Sequence, residues 1–143
     1  MGKLDGKIAI VTGGGSGIGA SIVEHFCAQR SRVAFVDIER AASEALVAAV
    51  AGRGHPAPLF LPGDLRDIGA LRAAVAEARE RLGPIRVLVN NAAHDERHAI
   101  DRVTPEYWDD RIAVNLRHQF FAAQAVVPEM RSEERRVGKE CRL

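Results

Sequence analysis

The sequence predicts an α/β fold in which helices cover both faces of a parallel β-sheet. Three observations support this prediction. Strand-like and helix-like segments alternate four times along the 143 residues. The first strand, Ile8–Val11, is apolar without polar alternation, which is typical of a strand buried on both faces. That strand also runs directly into a glycine-rich turn and a helix. Right-handed crossovers between parallel strands then predict the strand order 3-2-1-4.

Apolar spacing and turn residues define the individual elements. The first helix, Gly17–Gln29, carries Ile18, Ile22 and Phe26 at helical spacing, a pattern that predicts the face packed on the sheet. Thr104 precedes the last helix, where it is a predicted N-cap. The remaining elements are predicted as strand Arg32–Asp37, helix Ile38–Val50 with Leu46, Val47 and Val50 inward, a short strand within Pro58–Pro62, a helix over about Asp67–Leu82 with Arg79 on its solvent side, strand Ile85–Val89, and a long helix from Thr104 to about Met130.

The turn after the first strand is a candidate phosphate-binding site. Its glycines, at positions 13, 14, 15, 17 and 19, allow positive φ and close approach of a ligand. The helix that begins near Ser16 directs unpaired N–H groups and the positive end of its dipole toward an anion. Gly15-x-Gly17-x-x-Ala20 also fits the dinucleotide-binding pattern. The alternative is a tight turn that binds nothing. Asp37 favours binding, because dinucleotide folds place at this point the acid that bonds the adenosine ribose hydroxyls.

Length and composition argue against several functional classes. The chain has the length of one domain. No apolar run approaches the roughly 20 residues of a membrane span, and no signal peptide is evident, which predicts a cytoplasmic protein. A net charge of +1 without a basic patch argues against a nucleic-acid partner. Cys27 and Cys141 form no disulfide framework and no zinc-site spacing, so both are predicted to be free thiols.

Five motifs, in the order and spacing of a known family, lie within residues 4–130. They are Thr12-Gly13-x-x-x-Gly17-x-Gly19, Asp37, Asp64-Leu65, Asn90-Asn91-Ala92 and Val114-Asn115-Leu116. By these motifs the chain resembles the short-chain dehydrogenase/reductases. The resemblance implies a doubly wound Rossmann fold, truncated after the fourth strand and its long helix, so that residues 1–130 form an incomplete dinucleotide-binding domain.

The resemblance also implies roles for individual residues. In that family the acid in the place of Asp37 holds the adenosine ribose and favours NAD over NADP. Asn115 is implied as the catalytic residue, which lies at a slight break in the long helix and holds a water of the proton relay. The remaining implied cofactor-binding residues are Gly13, Gly15, Ser16, Gly17, Ile18 and Gly19 at the pyrophosphate, Asp64 and Leu65 at the adenine, and Asn91 and Ala92 at the nicotinamide ribose.

Several of these residues have other interpretations. Asp64 also fits a helix N-cap, and Asn90 fits a structural role. Asn115 has poor helix propensity, and a hydrogen bond between elements would explain it as well as a catalytic role. His94 and His98 lie four residues apart, but without an evident third ligand they favour a solvated loop over a metal site.

The chain departs from the family pattern at two places. Ala93 stands where the family usually has glycine, and the sequence has neither the catalytic Ser nor the Tyr-x-x-x-Lys of the family. Tyr107 is followed at the fourth place by Arg111 and is interpreted as a packing residue. The segment Arg131–Leu143 is predicted to be a non-native or disordered tail, because residues 131–141 resemble the translation of a sequencing-adapter oligonucleotide. A natural charged tail is the alternative.

The resemblance implies an NAD-dependent oxidoreductase that moves a hydride between NAD and a secondary alcohol or ketone. Asp95–His98, Tyr107–Arg111 and Asn115–His118 resemble the aldose (xylose-type) dehydrogenases, which implies an aldose substrate. The family's usual homo-tetramer would use the long helix near Asn115. Without the Ser, Tyr and Lys, this chain is predicted to be inactive. The alternatives are a non-catalytic nucleotide-binding module and a fragment without a stable fold.

A valine at Gly13 or Gly19 is a test that follows from the proposed phosphate-binding turn. We expect its Cβ to occupy the space of the pyrophosphate, and so to abolish dinucleotide binding without unfolding the sheet.

Overall fold

A computed structural model describes residues 2–140 of the chain and the side chains of residues 2–131. Four parallel strands form one sheet in the order β3-β2-β1-β4, which confirms the predicted fold class and strand order. The strands are β1 (Ile8–Thr12), β2 (Arg32–Asp37), β3 (Leu59–Pro62) and β4 (Val87–Asn90), and the helices are α1 (Gly17–Ala28), α2 (Arg40–Gly52), α3 (Ile68–Leu82), α4 (Pro105–Ile112) and α5 (His118–Glu140).

The first strand lies at the centre of the packing. Ile10 of β1 is in register with Ala34 of β2 on one side and with Leu88 of β4 on the other. Alternate side chains of β1 enter two hydrophobic clusters, with Ile8 and Ile10 in the cluster that includes α3 and α5. Val11 lies in the cluster that includes α1 and α2. Helices therefore cover both faces, as the apolar strand predicts.

The face of α1 that packs on the sheet differs from the predicted one. Gly19, Val23 and Cys27 are buried, whereas Ile18 is 76% exposed. Ile22 and Phe26 are only partly buried. The inward row is thus shifted by one residue, because Gly19 has no side chain and lets the helix approach the glycine turn closely. Helix α2 shows a smaller difference, since Ser43 joins Leu46 and Val50 inside and Val47 is only half-buried.

Helix α3 forms as predicted, but its cap and its outer face differ from the simplest interpretation. Asp67 is the N-cap and accepts a hydrogen bond from Ala70 N at 3.1 Å, so Asp64 is not the cap. Arg79 was predicted on the solvent side, yet its guanidinium bonds the Glu129 carboxylate and Ala125 O on α5. Glu129 Oε2 also accepts a hydrogen bond from Ile85 N at 2.9 Å. These contacts tie α3, α5 and the start of β4 together.

The long carboxyl-terminal helix is interrupted. Thr104 Oγ1 accepts a hydrogen bond from Tyr107 N at 3.2 Å, which confirms the predicted cap of α4. A π-helical turn over Ala113–Arg117 then separates α4 from α5, so the break expected at Asn115 is present. Helix α5 continues to Glu140, beyond the predicted end near Met130, since Glu, Arg and Lys are good helix formers.

Two predictions about the end of the chain have no test here. That residues 131–143 are a non-native tail remains a prediction, and Cys141 lies outside the described residues. Within residues 2–140, no helix is both long enough and apolar enough to cross a membrane.

Candidate cofactor-binding site

A cleft of about 540 Å³ lies where the strands reach their carboxyl ends. Its walls come from the residues after each strand, which is where open α/β sheets bind ligands. Most of the predicted cofactor-binding residues line it. They are Gly13, Ser16, Ile18, Gly19, Asp37, Asp64, Leu65, Asn91 and Ala92. Gly15, Gly17 and Asn115 are not among the residues that line the cleft.

The glycine turn is shaped by its contacts with the rest of the protein. Gly13 and Gly17 have φ values of +65° and +53°, a region that non-glycine residues rarely adopt. A Cβ at Gly13 would lie 2.8 Å from Ala92 Cα, and a Cβ at Gly19 would lie 1.8 Å from Gly13 O. These distances argue against the expectation that valine at either position leaves the fold intact, because the added atoms would displace protein backbone.

Asp37 is held by the backbone on both sides of its carboxylate. Oδ2 accepts a hydrogen bond from Gly15 N at 2.8 Å, and Oδ1 accepts one from Glu39 N at 2.9 Å. Gly15 is buried, and a Cβ there would lie 2.9 Å from Asp37 Cγ. Gly15 thus positions the acid of the cleft instead of lining the cleft. The result is a fixed carboxylate beside the glycine turn.

The N-terminus of α1 is suited to bind an anion. Ser16 is the N-cap, with extended backbone angles, and its side chain makes no capping hydrogen bond. The first turn of α1 contains no acidic residue. Because the first N–H groups of a helix have no partner within the helix, they and the dipole favour an anion at this point. Ser16 lines the cleft, so its hydroxyl is available to the same ligand.

Asp64 belongs to an ion network centred on Arg66 at the end of β3. Arg66 Nη2 lies 2.7 Å from Asp64 Oδ2, and Arg66 Nη1 lies 3.0 Å from Asp110 Oδ1 on α4. Hydrogen bonds from Arg66 hold the pKa of the Asp64 carboxyl below its ordinary value, although partial burial opposes this effect. Asp64 is therefore ionised and already positioned before a ligand arrives.

Asn91 and Ala92 are bound to the end of β1. Asn91 N and Ala92 N donate to Thr12 Oγ1 at 3.1 and 3.2 Å. The side-chain Nδ2 of Asn91 donates to Thr12 O at 3.1 Å and to Gly13 O at 2.8 Å. The side chain of Asn91 thus joins the end of β4 to the glycine turn, and Thr12 is the central acceptor.

Asn115 bonds the loop that follows β4. Its Oδ1 accepts a hydrogen bond from His94 N at 2.7 Å, and its Nδ2 donates to His94 O at 2.9 Å. These two bonds fit the alternative interpretation of Asn115, in which its side chain makes a structural hydrogen bond between two elements. They place Asn115 behind His94, which lines the cleft.

Sequence reasoning missed two polar residues that line the cleft, namely Glu39 and Arg66. Arg66 had a usable signal, because it follows β3 at the ligand-binding edge. Asp110 and Arg111 belong to the segment that resembles the aldose dehydrogenases, and the packing of α4 brings them to the cleft. The guanidinium of Arg111 lies 4.9 Å from the centre of the Tyr107 ring, and the Tyr107 hydroxyl donates to Glu96 O at 2.7 Å.

The arrangement suits a dinucleotide. A fixed carboxylate is complementary to ribose hydroxyls, an uncapped helix N-terminus to a pyrophosphate, and the side chains of Ile18, Leu65 and Val114 offer apolar contacts to a base. Within the described residues no group of three or more His, Cys, Asp or Glu side chains has an arrangement that could hold a metal ion.

Comparisons with known proteins agree with this geometry. A family model described as short chain dehydrogenase matches residues 7–139. The chain is 55% identical over 124 residues to "Probable galactose dehydrogenase GalD" of Rhizobium meliloti, which covers 87% of this chain and 48% of that protein. It is 47% identical over 129 residues to the D-xylose 1-dehydrogenase of Caulobacter vibrioides, covering 90% of this chain and 50% of that protein. The chain thus spans about half the length of these relatives.

Solved structures show the same fold. A mutant of a Serratia marcescens short-chain dehydrogenase/reductase matches with a TM-score of 0.85 and 34% identity, over 90% of this chain and 53% of that one. A blue fluorescent protein from a metagenomic library, solved in complex with NADPH, matches with a TM-score of 0.82 and 35% identity, over 90% and 53% of the two chains.

Proposed function

This chain belongs to the short-chain dehydrogenase family, and we propose that its residues 1–130 form the cofactor-binding half of an NAD-dependent oxidoreductase. The observation that supports this proposal most strongly is the Asp37 carboxylate, held beside the glycine turn by Gly15 N and Glu39 N. The two elements proposed to bind ribose and pyrophosphate are therefore joined by a hydrogen bond within the protein itself. If the turn had only a structural role, it would not need a hydrogen bond to an acid that lines the cleft.

The proposed reaction moves a hydride between a secondary alcohol and NAD. When bound, NAD would be the hydride acceptor. The residues of this chain bind and orient the cofactor. Asp37 would accept the adenosine ribose hydroxyls, the N-terminus of α1 with Ser16 would hold the pyrophosphate, and Leu65 would contact the adenine near Asp64. Asn91 and Ala92 would border the nicotinamide ribose. Asn115, held against His94, would place a water of the proton relay.

The choice of NAD over NADP rests on the charges around Asp37. The extra phosphate of NADP would approach this fixed carboxylate, and juxtaposed like charges cost several kcal/mol. Arg40 is the nearest residue along the chain that could compensate. Its guanidinium instead pairs with Glu44 at 3.2 Å and lies 5.9 Å from the centre of the Phe60 ring. Arg40 is thus paired with Glu44 along α2.

The cofactor test is a titration of NAD and NADP into the whole protein. We expect NAD to bind at least about 100-fold more tightly, which corresponds to about 2.7 kcal/mol. Asp37→Asn removes the charge and keeps the shape, so it should reduce this preference to less than about tenfold. Arg40→Ala is the control and should leave the preference unchanged. Equal or tighter binding of NADP to the unmodified protein would refute the assignment.

An aldose is the proposed substrate of the whole protein. Two relatives named as galactose and D-xylose dehydrogenases are among the most similar proteins, and polar side chains such as His94 and Arg111 line the cleft. A panel of aldoses and simple secondary alcohols, assayed by NAD reduction, tests this. Turnover of simple alcohols without turnover of any aldose would contradict the sugar assignment while leaving the family activity in place.

The 143-residue chain by itself should show no turnover. Removal of the hydroxyl proton during hydride transfer needs a general base, whose help is typically worth about 10² to 10⁴-fold, and the sequence contains no Tyr-x-x-x-Lys. The measurement compares this chain with the whole protein read from the natural gene. Activity of the short chain would contradict the role given to the Ser, Tyr and Lys. NAD binding without turnover by the whole protein would favour a non-catalytic nucleotide-binding module.

Assembly and location are further parts of the proposal. Leu116 and Phe120 lie near Asn115 and are 59% and 65% exposed, which supports a homo-tetramer that buries this part of the long helix. A cytoplasmic location also belongs to the proposal.

A further inference from the structure

We propose that His118 is a positioning residue for the cofactor-binding site. In this inference, which rests on the proposed function, a neutral imidazole accepts the hydroxyl proton of Thr12. The Thr12 oxygen is then oriented to accept the N–H groups of Asn91 and Ala92, which line the cleft. The proposal concerns a residue at the start of α5 that does not itself touch the ligand.

The burial of the two partners makes their hydrogen bonds obligatory. His118 is fully buried, with 0% exposure, and Thr12 is 1% exposed. The Thr12 Oγ1 and His118 Nε2 atoms lie 3.3 Å apart, although the residues are 106 positions apart in the sequence. Buried polar groups without partners cost free energy, so each group here must donate or accept as its chemistry allows.

The contact with Val114 identifies the tautomer of the imidazole. His118 Nδ1 lies within hydrogen-bond distance of Val114 O. A carbonyl oxygen can only accept, so Nδ1 must carry the proton. In the neutral ring, Nε2 is then an acceptor. Burial lowers the pKa of His118 below its ordinary value, although the Val114 bond opposes this effect, and the net shift favours the neutral form.

The hydroxyl of Thr12 has one proton and two acceptor positions. Because Nε2 of His118 is an acceptor, Thr12 Oγ1 donates to it. Both acceptor positions are then directed at Asn91 N and Ala92 N, at 3.1 and 3.2 Å. Val89 O is the other acceptor near the hydroxyl, at the longer distance of 3.5 Å. The imidazole therefore decides which way the hydroxyl points.

The π-helical turn explains how a residue of α5 reaches the end of β1. The backbone N–H of His118 bonds Ala113 O, five residues earlier, while its side chain bonds Val114 O. Neutral histidine has a donor and an acceptor on opposite sides of one rigid ring, so it can join Val114 O to the Thr12 hydroxyl. Ala92 also packs closely on the glycine turn, because a Cβ at Gly13 would lie only 2.8 Å from Ala92 Cα.

The test uses a conservative and a non-conservative variant of the whole protein. His118→Leu removes the acceptor, and we expect the KM for NAD to rise about five- to tenfold with kcat within about twofold, since a net hydrogen bond is worth about 1 kcal/mol. His118→Gln retains an amide that can accept from Thr12, so it should restore most of the affinity. In a Thr12→Val background, His118→Leu should add nothing further. An additive effect, or no rescue by glutamine, would overturn the proposal.

Two measurements test the proposal without NAD. They also remain possible if the Thr12→Val variant does not fold. Nitrogen NMR of the unmodified protein at pH 7 should show a protonated Nδ1 and an unprotonated Nε2 at His118, and the opposite tautomer would overturn the inference. Hydrogen exchange of the Asn91 and Ala92 amides should accelerate in His118→Leu but not in His118→Gln, while the amide of Phe35 in β2 stays unchanged. General acceleration would indicate a merely structural role. Failure of NAD to bind would refute the proposed function, and these two readouts would still decide on His118.

Discussion

Strands β1 and β4 are neighbours with similar apolar sequences, Ile-Ala-Ile-Val-Thr and Val-Leu-Val-Asn, yet they differ in burial. Every residue of β1 is buried, whereas Val87–Val89 of β4 are half-buried and Asn90 is exposed. β1 has paired strands on both sides, and within residues 2–140 β4 pairs with β1 alone. The difference shows that burial depends on the neighbours of a strand more than on its own composition.

The two strands also hold the cleft in different ways. At the end of β1, the glycine turn is fixed by close backbone packing, as the 1.8 Å distance from a Cβ at Gly19 to Gly13 O demonstrates. At the end of β4, Asn91 and Ala92 are held by hydrogen bonds to Thr12. Steric packing tolerates no added atom, whereas hydrogen bonds can be weakened one at a time.

The largest effect is expected for Gly19→Val. Its Cβ would overlap Gly13 O, so we expect the free energy of unfolding to fall by at least about 3 kcal/mol. Gly52→Ala is the matched control, because a Cβ there meets nothing within 4 Å and alanine favours a helix. Urea unfolding of both variants measures the effect. A Gly19→Val protein as stable as the control, but unable to bind NAD, would restore the pyrophosphate explanation of this glycine.

An intermediate effect is expected when one valine of each strand, β1 and β4, is replaced by alanine. Val11 in β1 is completely buried, so Val11→Ala should cost about 2 to 3 kcal/mol through lost burial and the cavity that remains. Val89 is half-buried in β4, and Val89→Ala should cost about 1 kcal/mol in this chain. If the whole protein adds a further strand beside β4, as the resemblance to the family implies, the second value should rise toward the first. Equal costs in the 143-residue chain would contradict the comparison.

The smallest effect is a pH dependence that arises from His118. Burial places the pKa of the folded histidine below its ordinary value of 6.5. The unfolded chain therefore binds the proton first, and the native state loses stability as the pH falls below 6.5 toward the lower pKa. Unfolding of the unmodified protein and of His118→Gln, measured from pH 7.5 to 5.5, should show a steeper loss in the former. Asp64 stays ionised throughout this range, because its pKa lies below its ordinary value, so parallel curves would mean that His118 makes no contribution.

The sequence by itself predicted the fold class, the strand order and nine of the residues that line the cleft. Each of these depends on local patterns: apolar runs indicate strands, glycines mark the turn, and Asp37 follows a strand at the ligand-binding edge. The break at Asn115 was also expected, as the resemblance to the short-chain dehydrogenases implies. The inward face of α1 was predicted incorrectly, since Gly19 offers no hydrophobic signal although it makes the closest contact.

Only the tertiary structure decided how these parts are held together. The bond from Asn91 Nδ2 to Thr12 O joins residues 79 positions apart, and the contact between Thr12 and His118 joins residues 106 positions apart. No periodicity along the chain can predict such pairs, because hydrogen bonds depend on which atoms meet in space. The same reason applies to Gly13 and Gly19. Their sequence pattern indicates a phosphate site, but the atoms that exclude a side chain there belong to Ala92 and to the backbone of the turn itself.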